Sequence, residues 1–205
     1  MQIESSVNPF YIKETSPNKK SKNIKEEFAT RLPASIKQMD KAESGGEALG
    51  LTMVPEEGKS VVYGMAATLS LKSTTDNPIV QISSNLNGEN KVYSVEINKI
   101  NPEHASQMEM FALCSYLDYI GEGTGSTFGS FHTLRMMQDT AGTSGITPTV
   151  SDGVSAYEDF MNTKKDWVYM CMQVCNLLKD IPDMNIRDLF LKGKRLTEYL
   201  TNKYI

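Results

Sequence analysis

Residues 79–97, IVQISSNLNGENKVYSVEI, decide the fold. Two runs alternate apolar and polar side chains, the period of a strand with one buried face, and Asn87-Gly88 stands between them. That dipeptide is the strongest short hairpin signal, because a type I′ turn needs positive φ at both central residues. Across a two-residue turn Leu86 faces Glu89, so Ile82 opposes Tyr93 and Val80 opposes Val95. Gln81 then meets Ser94 and Ile79 meets Glu96 on the wetter face. Turn and pattern fix one register, since a slip of one residue would send every apolar side chain to water.

Upstream, residues 59–71 alternate as well. Val61, Tyr63, Met65, Ala67, Leu69 and Leu71 point one way, with Val62, Gly64, Ala66, Thr68 and Ser70 opposite, before Thr74-Thr75-Asp76-Asn77-Pro78 breaks the run. The expectation is a three-stranded antiparallel meander over 59–97 with one apolar face, which helices must cover. Residues 1–58 are rich in Ser, Asn, Lys and Glu and hold Pro9, Pro17, Pro33 and Pro55. So few large apolar groups do not offset the entropy of ordering, and the stretch is expected to be a largely disordered arm. Its exception is 23–32, where Ile24, Phe28 and Leu32 fall at helical spacing. Such a short amphipathic helix is unstable alone; it would serve either as a strap on this chain's own core or as a recognition helix for a partner's groove.

Downstream lies 101–137, NPEHASQMEMFALCSYLDYIGEGTGSTFGSFHTLRMM. Asn101 is a good N-cap and Pro102 suits a first helical position, so a helix is expected from Pro102. Met108, Met110, Phe111, Leu113, Leu117 and Ile120 surround it with apolar surface, which marks a buried helix, and Gly121 supplies its left-handed end. A short helix over 130–138 and a polar loop over 139–150 follow. Ser155 and Glu158 have capping-box spacing for a long helix from near Asp152 to the stop at Pro182, with Phe160, Trp167, Val174 and Ile181 every seven residues. A last helix over 185–203 folds back antiparallel. The reading is a single α+β domain over 59–205, its sheet at 59–97 covered on one face by about four helices in 101–205.

The 205 residues carry a formal charge of -4 and a pI near 5.3, without the concentrated basic surface that nucleic acid requires. Lys19, Lys20, Lys22 and Lys25 are followed at once by Glu26 and Glu27, a solvated segment. Cys114, Cys171 and Cys175 form no CxxC pair and are read as reduced, buried thiols. No run approaches the roughly 18 apolar residues of a membrane span and no export leader is recognisable, so a cytoplasmic location is expected.

Residues 121–130, GEGTGSTFGS, form the one loop suited to an anion. Glycines let backbone N–H groups approach, a helix N-terminus follows, and Thr124, Ser126 and Thr127 add hydroxyls. Gly123, Thr124, Gly125, Ser126, Thr127 and His132 are thus the candidate ligand-binding residues. The alternative is a flexible connector, because neither the G-x-x-x-x-G-K-[ST] nor the G-x-G-x-x-G pattern is present. Asp139-Thr140-Ala141-Gly142 has the D-x-x-G form of a GTPase but no P-loop to serve, and is read as coincidence. Catalysis would need His132 to meet Cys114 or Asp118 in space, and no G-x-S-x-G or protease cysteine signature supports it. Cys171 and Cys175 share a helix face but read as core, so no metal and no cofactor are assigned. The methionines, including Met108, Met110, Met136, Met137, Met170 and Met172, are gap-fillers or a pliable binding groove.

The block 108–137, MEMFALCSYLDYIGEGTGSTFGSFHTLRMM, preceded by INPEHAS and followed by SAYEDFMNTKKDW, resembles a group of uncharacterised bacterial proteins that join a polar N-terminal arm to such a block. The resemblance covers about residues 58–181. It implies a bacterial cytoplasmic or cell-associated protein and carries over no activity, ligand or catalytic residue. The functional expectation is a non-catalytic protein–protein interaction module, partnered by another protein or by itself as a homodimer, with Ile24, Phe28 and Leu32 as contact residues. The alternative is an enzyme or a small-ligand or anion-binding protein using 121–130 and His132.

Overall fold

The computed structural model describes residues 32–40, 45–55, 62–86, 89–144 and 156–204. Strands β1 (Ile36–Met39), β2 (Ala48–Pro55), β3 (Val62–Leu69), β4 (Ile79–Leu86) and β5 (Glu89–Glu96) make one antiparallel sheet in the order β1-β5-β4-β3-β2. The β4–β5 hairpin has the register its pattern dictates: Leu86 opposite Glu89, Ile82 opposite Tyr93, Val80 opposite Val95. Asn87 and Gly88 themselves lie outside the described residues. In β3, Met65 and Ala67 are buried while Gly64 is exposed, so the alternation there sorts inside from outside.

The sheet has five strands, which corrects the three-stranded meander. The two extra strands lie within the polar stretch 1–58: β1 pairs with β5, and β2 with β3. Neither strand shows itself locally. β1 is only four residues long, and β2 carries its pattern inverted. Gly50 faces the helices, where an added Cβ would sit 2.8 Å from Ser115 Oγ, while Leu51 and Met53 are 84% and 68% exposed. Long-range pairing, not local composition, orders them. Ile24 and Phe28 lie outside the described residues, and Leu32 sits in a bend before β1.

The described residues hold five α-helices: α1 (Gln107–Tyr119), α2 (Ser130–Thr143), α3 (Ala156–Asn162), α4 (Trp167–Leu178) and α5 (Met184–Tyr204). Asn101 does cap, accepting from the Glu103 N–H, but it caps only a 3₁₀ turn, Pro102–His104. α1 begins five residues after Pro102 because Ala105 first pairs with Lys165 in a short antiparallel bridge. Ser106 and Glu109 then form a reciprocal capping box. The same bridge splits the long helix expected from near Asp152 to Pro182 into α3 and α4, with Asp166 capping α4 through the Tyr169 N–H at 2.8 Å. α2 runs five residues past 138, through Asp139-Thr140-Ala141-Gly142, where Thr140 and Thr143 hydroxyls bond back to the carbonyls of Met136 and Asp139. That stretch is helix, not a phosphate loop.

α1 lies on β2, β3 and β4 as the buried spine of the helical layer. Phe111, Phe131 and Phe160, from α1, α2 and α3, meet with centroids 5.1 to 6.5 Å apart in tilted and edge-on geometry, the arrangement that ring quadrupoles favour. The N-terminal end of α1 is sealed by polar groups with partners. Buried Glu109 accepts from the Ser106 N–H at 2.7 Å, pairs with Lys164 and takes the Ser35 hydroxyl. Buried Asp159 takes Gln107 at 2.8 Å and Lys165 at 3.2 Å. Trp167 is fully buried and its Nε1–H donates to the Ala105 carbonyl at 2.7 Å. Among the described residues no helix is long and apolar enough to cross a membrane.

Candidate functional site

The other end of α1 is built differently. Gly121, at φ +79°, ends the helix, and the chain loops over the end of α1 before α2 starts at Ser130. The centre of the loop is Asp118: one carboxylate oxygen accepts the Ser130 N–H at 2.7 Å and the other the Ser130 hydroxyl at 2.5 Å. Ser130 Oγ in turn accepts the Thr124 N–H at 2.7 Å. Gly123 packs against this knot so closely that a Cβ would come within 1.9 Å of Asp118 Oδ1, so only glycine passes. Gly129, at φ +83°, makes the final turn into α2. The anion at this helix N-terminus is therefore the chain's own Asp118, and the main-chain donors of Thr124 and Ser130 are already bonded. Gly125, Ser126 and Thr127 continue the loop toward solvent.

Cys114 lies on α1 one turn before Asp118 and is fully buried. Burial, followed by the nearby charges of Asp118 and Cys171, pushes its thiol well above the ordinary range, the reverse of what a nucleophile needs. Burial likewise raises Cys171 and half-buried Cys175. His132 is on the opposite, exposed side of α2, its ring 5.3 Å from that of Phe128 in edge-on contact. Among the described residues it makes no hydrogen bond to Cys114, Asp118 or a loop hydroxyl. The structure thus brings Asp118, Thr124 and Ser130 together and leaves His132 apart from Cys114. No three His, Cys, Asp or Glu groups converge on a point suited to a metal among the described residues.

What His132 does face is a cleft of about 1310 Å³ between β2 and α2. The glycine loop forms one end, with Gly123, Gly125, Ser126 and Thr127 in its wall, and β3 and β4 contribute the floor. Ser84 on that floor is 3% exposed, and its hydroxyl has no hydrogen-bond partner among the described residues. Among the described residues of the lining, Arg135 and Arg195 bring two guanidinium groups against the carboxylate of Asp139, since Asp118 is held by Ser130. The rim holds Met136 and Phe128, the last 78% exposed, and the β2 edge at Leu51 and Met53. Of the methionines read as gap-fillers or groove, Met108, Met110, Met137 and Met170 are core, whereas Met136 is on this rim and Met172 on the outer face of α4. Sequence reasoning reached the loop and His132 but missed Leu51, Met53, Ser84 and Arg135. The uncharged run LGLTMV was the available signal for an open strand.

No known protein family, curated protein or solved structure matches the chain.

Proposed function

We propose that this chain is a non-catalytic binding module that takes an extended segment of another protein into the cleft between β2 and α2. The observation that carries this reading is the size and rim of the cleft. At about 1310 Å³ it exceeds the roughly 300–1,000 Å³ of sites that enclose a small molecule, and Phe128 and Met136 stand exposed along it, with exposed Leu51 and Met53 on the outer face of the β2 edge beside it. Apolar patches rimmed by polar groups mark contact with macromolecules, and Met and aromatic side chains are enriched at such contacts. Catalysis is disfavoured by the site chemistry: burial raises the thiol's pKa, His132 has no nucleophile beside it among the described residues, and the Ser130 hydroxyl is tied to Asp118 and Thr124 with no imidazole as base.

The test is to pan a phage-displayed library of random dodecapeptides against the immobilised full chain. Enrichment that vanishes with Phe128→Asp supports the module, whereas no enrichment overturns it. The loop's place in the cleft wall keeps the small-ligand or anion reading as the second. A rise in Tm with small carboxylates or inorganic phosphate that is lost in His132→Ala would favour that reading.

A further inference from the structure

Among the described residues, strand pairing fixes which backbone groups of β2 bond β3 and which point away from it. The Ser70 N–H donates to the Ile79 carbonyl, so in the β3–β4 register Ala66 and Thr68 share Ser70's direction, toward β4. Met65, Ala67 and Leu69 therefore turn the other way, as the Leu69 N–H bond to the Glu47 carbonyl attests. Their partners Thr52 and Gly50 face inward, which leaves the N–H and C=O of Leu51 and Met53 aimed out of the sheet edge. Arg135 on α2 already reaches one of them, its Nη1 donating to the Met53 carbonyl at 3.4 Å. That bond is long against the usual 2.9–3.0 Å and is easily exchanged for a better one.

Resting on the reading of the cleft as a segment-binding site, we propose that the occupant joins the sheet as a sixth strand on β2 and carries a carboxylate that Arg135 captures. The segment's main chain bonds Leu51 and Met53, and the displaced guanidinium turns to a carboxylate, for which it offers a charge-assisted and often bidentate match. The two sheet edges differ as this requires. β1 has four residues and exposes Lys37 and Gln38, a protected edge. β2 has eight residues without a charge, and Pro55, which has no N–H, ends the pairing stretch. The occupant proposed is a single extended segment of another protein, and a second copy of this chain is distinguished from it by the test below. Arg135 and Arg195 in a net acidic protein select a negatively charged segment.

The probe is the most strongly enriched dodecapeptide from the panning above, titrated into the ¹⁵N-labelled full chain. Expected are enriched peptides bearing Asp or Glu, slowed exchange of the Leu51 and Met53 amides in the complex, and at least tenfold weaker binding for Arg135→Glu. Met53→Pro, which removes an outward N–H and no ladder bond, should weaken binding at least tenfold as well. Leu51→Lys gives a second edge variant should Met53→Pro unfold. Binding that depends on Phe128 but leaves both amides exchanging freely would overturn the strand addition and keep the binding module. Protection of the same amides by self-association without peptide would make a second copy the occupant and overturn the proposal, and no enrichment at all removes both readings.

Discussion

The two ends of α1 solve opposite problems. At its start the buried charges and the indole are paired: Glu109 with Ser106, Ser35 and Lys164, Asp159 with Gln107 and Lys165, Trp167 with Ala105, while the Asn162 amide oxygen nearby has no partner among the described residues. At its finish the buried Ser84 hydroxyl has no partner among the described residues, the β2 edge at Leu51 and Met53 carries one long bond from Arg135, and Phe128 projects into water. Burying a polar group without a hydrogen bond costs free energy, and exposing large apolar groups forgoes some. The first end has the form expected of a region selected for stability. The second has the form expected where a fold leaves its strongest interactions to be completed by something else.

The contrast breaks first at Trp167. Trp167→Ala empties a fully buried site and removes the donor to Ala105, so urea unfolding should show a loss of about 3–5 kcal/mol; a loss under 1 kcal/mol would mean that the seam is not a keystone of the helical layer. Glu109→Ala strands Lys164, whose side chain is 24% exposed. Partial solvation moderates the cost to about 2–3 kcal/mol, and peptide binding in the cleft should remain.

The buried thiols give a pH signature. Cys114 and Cys171 have folded-state pKa values raised above those of the unfolded chain, so their stability is fully present below the unfolded pKa of about 8.5 and falls as pH rises above it. Each thiol should contribute a decline of about 1.4 kcal/mol per pH unit in that window. Denaturation from pH 7 to 10 should therefore show a shallower alkaline slope in Cys171→Ala than in the parent chain; equal slopes would refute the assignment. The smallest effect sharpens the comparison most. Phe128→Ala should alter stability by no more than about 0.5 kcal/mol, as for other exposed positions, while weakening cleft binding at least tenfold. A loss of 2 kcal/mol there would make Phe128 part of the core and erase the distinction between the two ends.

The sequence alone determined what short-range chemistry can specify. The alternation around Asn87-Gly88 was enough for the hairpin register, pair by pair, because turn geometry and a two-residue period leave one solution. The all-apolar surface of α1 was enough for its burial, and Gly121 for its end. Only the tertiary structure decided the rest. The helix expected to run unbroken to Pro182 is interrupted because Lys165 pairs with Ala105, some sixty positions earlier in the chain, and no local periodicity records a bridge of that kind. β2 is illegible for a related reason: α1 approaches so closely that the inward positions must be small, leaving the apolar residues outside, so its pattern reads backwards. The glycine loop, which by composition could cradle a foreign anion, closes on Asp118 because the fold carries that carboxylate to the start of α2. Side-chain periodicity reports which face of an element meets the core, but which elements meet each other is settled by packing and long-range pairing.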